Sequence, residues 1–300
     1  MVCARALYLK LISRPADEVN VMTWTRRRFL TSVAATAAIG ACATTAHATL
    51  SAPFDYELTG RDVFIKNLPP AFDGFRITQV TDIHHSPLVP LEEVRRVVEI
   101  ARGTAPDMFA LTGDFTTDDK HERLLEPCAE LLSTLAAPCG VWAVTGNHDH
   151  TDDPQRVVET LRRHHIEVLF NQNTGLTHKG DTLQLAGIGD RSWAATDWTQ
   201  ARRGLDFTQP AVLLSHQPYV FDEAEARDYD LILAGHTHGG QVSFPIIGAP
   251  VRFMEQFRYV SGLFKRGRTQ LYVSRGTGVI GLPVRLGARP EIAVIRLRSA

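Results

Sequence analysis

Neither charge sign prevails in this 300-residue chain. There are 32 lysines and arginines against 33 aspartates and glutamates, a formal net charge of −1. That balance gives no support to a strongly basic nucleic-acid binder, and none to a disordered acidic segment. Cysteine is scarce: only Cys3, Cys42, Cys128 and Cys139 occur, and no Cys-x-x-Cys. Thiolate zinc sites and thiol redox chemistry therefore have no basis. Cys128 falls within a helical pattern and Cys139 just after it, so two free buried thiols are expected rather than a disulfide. Repeats, low-complexity tracts and Pro/Ser linkers are missing too. Residues 49–300 therefore read as one domain, and a hydrophobic content of 44% is enough to fill its core.

The N-terminus has a different character. Thr25-Arg26-Arg27-Arg28-Phe29-Leu30 precedes an Ala/Thr-rich, mildly apolar run that ends at Ala46-His47-Ala48. A charged region, an apolar region and a small-residue cleavage site describe an export signal over residues 1–48. Its arginine pair resembles the twin-arginine type. The expected destination is the periplasm or cell envelope. Ile39-Gly40-Ala41-Cys42 also resembles a lipoprotein box, which would leave Cys42 acylated and the protein anchored. Met22 is a second possible start, which would make residues 1–21 an extension.

Short apolar runs alternate with helical patterns through the rest of the chain. Strands are expected at 76–81, 108–112, 141–144, 182–188, 211–215, 231–234, 271–274 and 292–297. Helices are expected at 91–104, 121–135 and 153–164. The alternation indicates an α/β fold, in which sites form where strands end. Five strand exits carry similar side chains: Asp82 and His84, Gly113-Asp114, Gly146-Asn147-His148-Asp149, His216, and Gly235-His236-Thr237-His238. Any one of them is unremarkable as a cap or a core histidine. Five on one sheet edge imply a common ligand.

Asp82, His84, Asp114, Asn147, His216, His236 and His238 are more ligands than one ion needs, and they suit two if one carboxylate bridges. Imidazole and oxygen without sulfur fit manganese, iron or zinc. Two divalent ions exceed the charge of two aspartates and a bridging hydroxide, leaving a positive site for a phosphate oxygen. Such a pair supports in-line attack by the hydroxide. His148 is then free to act as general acid, with Asp149 orienting its ring.

The ordered set Asp82-x-His84, Gly113-Asp114, Gly146-Asn147-His148-Asp149, His216 and Gly235-His236-x-His238 resembles the calcineurin-like metallophosphoesterases. The resemblance runs from about Gly74 to the C-terminus. It implies a four-layer α/β/β/α sandwich of two mixed sheets. It also implies Asp82, His84 and His238 on one metal, Asn147, His216 and His236 on the other, Asp114 between them, and His148 as the catalytic histidine. His238-Gly239-Gly240-Gln241, Tyr272-Val273-Ser274-Arg275-Gly276-Thr277-Gly278 and Arg289-Pro290-Glu291 are similar to the exported bacterial branch. That branch includes twin-arginine-exported phosphodiesterases and enzymes like UDP-2,3-diacylglucosamine pyrophosphatase.

The expected activity is phosphodiester hydrolysis. The alternatives are pyrophosphate cleavage on a lipid- or nucleotide-linked phosphate, and a non-catalytic metal-binding envelope protein. Retention of every ligand position argues against the last. Arg275, Arg285 and Arg191 are expected to meet substrate, with Asp190 and Trp193 on the cleft. Residues 244–268 read as a long apolar and basic insertion that can contact a lipid-linked phosphate or a membrane surface. A monomer with no specific nucleic-acid partner is expected.

Overall fold

A computed structural model describes residues 26–117, 123–151, 153–254 and 257–300. The chain divides into two compact units, residues 1–45 and 46–300. The helix Arg26–Ala46 is rich in alanine and threonine. Among the described residues no helix is long and apolar enough to cross a membrane. Thr25, Cys3 and the 1–21 extension lie outside the described residues.

The second unit contains twelve described strands. The first six are β1 (Glu57–Ile65), β2 (Arg76–Val80), β3 (Met108–Thr112), β4 (Val141–Val144), β5 (Glu167–Val168) and β6 (Gln172–His178). The others are β7 (Asp181–Gly187), β8 (Ala211–Leu214), β9 (Leu231–Ala234), β10 (Gly262–Arg266), β11 (Thr269–Val273) and β12 (Glu291–Ser299). They form two mixed six-stranded sheets, in the orders β1-β12-β2-β3-β4-β5 and β10-β11-β9-β8-β7-β6. β2, β3, β4 and β5 are parallel, and so are β7, β8, β9 and β11.

Strict alternation divides the strands between layers. In β3, Met108 and Ala110 face the other sheet, while Phe109 and Leu111 face helices. In β9, Leu231 and Leu233 point inward and Ile232 and Ala234 outward. The central layer joins Ile77, Met108 and Val144 of the first sheet to Leu185, Leu214 and Tyr272 of the second. The helices Leu91–Gly103, Leu125–Leu132 and Pro154–Arg163 cover the first sheet. Val94, Val97, Val98 and Ala101 make the buried stripe of the first helix at the i, i+3, i+4, i+7 spacing. Pro154 opens the third at a position that needs no N–H, and the Asp153 side chain accepts from the amides of Gln155 and Arg156. The second helix is shorter than its pattern suggested. Its end tightens into a turn in which Thr134 and Leu135 donate to Leu131 and Leu132, and residues 121–122 lie outside the described set. Short helical turns at Pro218–Asp222 and Glu225–Asp228 and the short helix Trp198–Ala201 cover the second sheet.

One expectation is corrected. The five candidate ligand-bearing exits do not share a sheet: β2, β3 and β4 belong to the first, β8 and β9 to the second. Within the 244–268 segment, Gly262–Arg266 is β10, antiparallel to β11. Cross-sheet bonds hold the exits of both sheets together. Buried Gln79 donates from Nε2 to Thr112 Oγ1 (2.9 Å) and to the Ala234 carbonyl (3.0 Å).

Candidate metal centre

The turns after β2, β3 and β9 carry strained candidate ligands. Asp82, His84, Asp114, His236 and His238 all have φ between 52° and 72°, the left-handed region. Each such residue costs about 1 kcal/mol or more, and residues of this kind gather at functional sites. Gly113 shares that conformation, at φ 89°. Gly146 and Gly235 have no left-handed φ; they make room. A Cβ at Gly146 would stand 2.3 Å from Asp114 Oδ1, and one at Gly235 2.3 Å from Asp82 Oδ2. After His238 the chain turns away through Gly239 and Gly240, at φ 61° and 77°.

The ligand atoms converge in two sets. In the first, His84 Nε2 lies 3.1 Å from His238 Nε2, and His238 Nε2 lies 3.3 Å from Asp82 Oδ1. In the second, His216 Nε2 lies 3.3 Å from His236 Nδ1. Asp114 Oδ2 touches both sets, 3.4 Å from His84 Nε2 and 3.1 Å from His216 Nε2. Ligands about 2.1 Å from one ion at tetrahedral or octahedral angles stand about 3.0–3.4 Å apart, so these spacings fit bound cations. The Asn147 Oδ1 atom is buried and has no hydrogen-bond partner, as an oxygen reserved for a metal would.

Second contacts orient the rings. His216 Nδ1 faces the Thr112 carbonyl at 2.7 Å, which leaves Nε2 for the site. His84 Nδ1 faces Thr117 Oγ1 at 3.1 Å. Phe257 stacks on His236, with ring centroids 6.0 Å apart. Burial holds the His84 and His236 pKa values down at about 3, and that of His238 well below its usual range. These imidazoles are neutral and offer lone pairs. Burial would also lower His216, but the Asp114 carboxylate overrides it and holds the pKa at about 10. Asp82 is pushed up to about 6 by burial. Asp114 would also be raised by burial, yet the His216 charge and hydrogen bond hold it well below the carboxylate range. A cation held by the second set would therefore have to displace a proton from His216.

His148 lies beside both sets. Its ring centroid is 5.0 Å from that of His84, and its Nδ1 faces the Thr117 carbonyl at 2.7 Å. That carbonyl, not Asp149, orients the ring. The Asp149 carboxylate is engaged elsewhere: Oδ2 accepts from the amides of Asp114 and Gly146 (both 2.8 Å) and Oδ1 from Phe115 (3.0 Å). It ties the turns after β3 and β4 together.

The three arginines expected at substrate are otherwise engaged. Arg285 is fully buried, and its guanidinium donates to the carbonyls of His238 (2.8 Å), Arg275 (2.9 Å), Ala288 (3.1 Å), Gly276 (3.4 Å) and Gly278. It braces the ligand loop from a fully buried position, with only its Nε left unpaired. Arg275 pairs with Glu57 at 2.6 Å, and Arg191 with Glu223 at 2.8 Å. Trp193 is on the rim: its indole N–H donates to the Asn147 carbonyl at 3.0 Å while the ring stays half exposed. Asp190 is buried, accepts from the Trp193 amide at 3.0 Å and binds Gln217. His85 and His150 face the Val89 carbonyl (2.9 Å) and Thr145 Oγ1 (2.8 Å). Thr117, which serves both His84 and His148, was missed in the sequence, since a threonine three residues past Asp114 carries no signal of its own.

Oxygen and imidazole ligands without sulfur, gathered where two packed sheets end, are the equipment of a metallophosphoesterase. Comparison with known proteins agrees. Residues 75–240 match the profile of the calcineurin-like phosphoesterase family. Phosphodiesterase YaeI of Escherichia coli is 32% identical, over 91% of this chain and 98% of its own. The uncharacterized metallophosphoesterase YkuE of Bacillus subtilis is 29% identical over the same shares. The solved structure of TT1561 from Thermus thermophilus is 16% identical with a TM-score of 0.47, covering 68% of this chain and 90% of that one. The chain belongs to the calcineurin-like phosphoesterase family and is a phosphoric ester hydrolase.

Proposed function

We propose that the protein is a dinuclear-metal phosphodiesterase in which His148 is the general acid. The observation that carries this reading is the single oxygen, Asp114 Oδ2, in contact with both ligand sets. Asp82, His84 and His238 would hold one ion, and Asn147, His216 and His236 the other. Manganese, iron and zinc all suit this donor set. Divalent ions held there polarise a phosphoryl oxygen and supply a nucleophile drawn from water.

The chain's own residues do the rest. Asp82 and Asp114 are too few to neutralise two such ions, so the site favours an anionic ester. The Thr117 carbonyl fixes His148 through Nδ1. Nε2 is left to carry a proton to the departing oxygen. Trp193, held to the Asn147 carbonyl, forms a flat wall at the rim.

The test is hydrolysis of an aryl phosphodiester and of the matching monoester with manganese, beside His148→Ala. We expect the diester to be cleaved, and His148→Ala to be slower by about 10²–10⁴ with unchanged metal content. A His148→Ala enzyme as fast as the parent would remove the general acid from the mechanism. Export is part of the same proposal. Arg26, Arg27 and Arg28 before a small-residue run support a twin-arginine signal ending at Ala48 or at Cys42. Cell fractionation of Arg26→Lys/Arg27→Lys should leave the protein in the cytoplasm, and continued export would reject that route.

A further inference from the structure

Next to the ligand loop lies a cavity of about 530 Å³ that the proposed chemistry does not use. Gly239, the residue after His238, forms part of its wall, with Ser243, Ser261, Arg252, Arg258 and Arg275 among the others. Three arginines line it, and among the described lining residues there is no aspartate or glutamate. Their charges are unevenly compensated. Arg275 has Glu57 at 2.6 Å. Arg258 has Asp222 only at 3.6 Å, and Asp222 is closer to Arg266, at 2.6 Å. Arg252 has no carboxylate partner among the described residues; its guanidinium lies 5.6 Å from the centre of the Phe253 ring. A concave site with surplus guanidinium charge calls for an anion.

The surface beside it is apolar. Ile246 is 96% exposed and Phe253 78%, and Phe244, Ile247 and Met254 are exposed as well. Water is a poor solvent for five such side chains on one short segment. The Phe244 amide donates to Gly248 (3.0 Å) and the Gly248 amide to Phe244 (2.8 Å), so Ile246 and Ile247 stand at the tip of a closed turn. Apolar side chains at a tip, with arginines behind them, match the layering of a membrane surface: acyl chains beneath anionic head groups.

We propose that the 244–254 segment enters the apolar layer of an anionic lipid surface and that the cavity takes a lipid phosphate. The enzyme would then work on phosphodiesters presented at that surface. The binding stands by itself; only its catalytic consequence rests on the phosphodiesterase reading.

The test is co-sedimentation of the full chain with phosphatidylcholine vesicles, with and without phosphatidylglycerol. Binding is expected only with phosphatidylglycerol. Ile246→Ser/Phe253→Ser should weaken it about tenfold by lost apolar transfer, and Arg252→Glu about tenfold by charge reversal. Arg26, Arg27 and Arg28 are unchanged in the parent and in each loop variant, so a loss on loop substitution reports the loop. Matching thermal unfolding and metal content show that the variants are folded. Equal binding to both vesicle types, or undiminished binding by both loop variants, overturns the proposal. If Arg252→Glu weakens binding but Ile246→Ser/Phe253→Ser does not, and inorganic phosphate competes, the cavity is a site for free phosphate and the lipid assignment falls. Failure to cleave soluble diesters alongside intact vesicle binding would instead count against the phosphodiesterase reading alone.

Discussion

Replacing Gly235 by alanine adds one methyl group at a confined point of the site. The new Cβ would stand 2.3 Å from Asp82 Oδ2, 2.3 Å from Thr81 Oγ1 and 2.8 Å from Thr81 Cγ2. A relaxed carbon–oxygen contact needs about 3.3 Å, so roughly 1 Å must be found by moving the carboxylate. Asp82 has nowhere to retreat. His236 N donates to both of its oxygens, at 2.9 and 3.0 Å, and Gly276 closes the other side, where a Cβ would be 2.6 Å from that of Asp82. Metal sites tolerate about 0.2 Å of ligand displacement. Gly235→Ala should therefore lose about 10² in manganese affinity at the Asp82 set and about 10² in turnover. The fold should lose about 1–3 kcal/mol from overpacking. Calorimetric metal titration and elemental analysis read the first effect, thermal unfolding the last. Gly103→Ala is the control, because nothing lies within 4 Å of the added carbon. Wild-type manganese stoichiometry and affinity in Gly235→Ala would refute the account of the glycine as a spacer for a metal ligand.

Asp149→Asn puts one acceptor oxygen where the carboxylate uses two to take three amide bonds. It should lower stability to urea by about 1–3 kcal/mol, and an unchanged midpoint would deny the turn-tying role. Arg285→Met strips donors from five buried carbonyls. We expect a loss of about 3 kcal/mol or more, whereas an anion clamp would instead raise KM at constant stability. His216, held at about 10 against an unfolded value near 6.5, binds one more proton in the folded, metal-free protein. Its contribution is complete below the unfolded value and disappears as pH rises through about 10. Chelator-treated protein should thus lose about 1.4 kcal/mol per pH unit from about pH 7 to 8.5, and metal-loaded protein should not. A flat urea midpoint in the chelated sample would contradict this.

Strand legibility in the sequence followed burial. β3, β4, β8 and β9 are buried on both faces and stand out as short apolar runs. The four strands that gave no signal are β1, β5, β6 and β10, and these are the four sheet edges. An edge strand is half solvated, so β6 can be Gln172-Asn173-Thr174-Gly175-Leu176-Thr177-His178, with one buried side chain among seven. Its partner, not its composition, makes it a strand.

The site divides in the same way. The candidate donors and their order were legible because metal chemistry restricts donors to a few side chains, and because those side chains interrupt apolar runs at fixed points. The second contacts were not, since they are backbone groups. The Thr117 carbonyl rather than Asp149 holds His148, and the Thr112 carbonyl orients His216. Every residue offers a carbonyl, so nothing in the sequence distinguishes the one that will be aimed at a ring. The arginines show the same limit. Arg285 and Arg275 read alike in the chain, yet one is sealed among five carbonyls and the other is paired with Glu57. The sequence by itself determined which side chains can bind metal and which strands deliver them. Only the tertiary structure decided that two sheets share the site, that Asp114 touches both ligand sets, and which charged groups are already spent. Proximity between residues far apart in the chain comes from packing, and no local pattern encodes it.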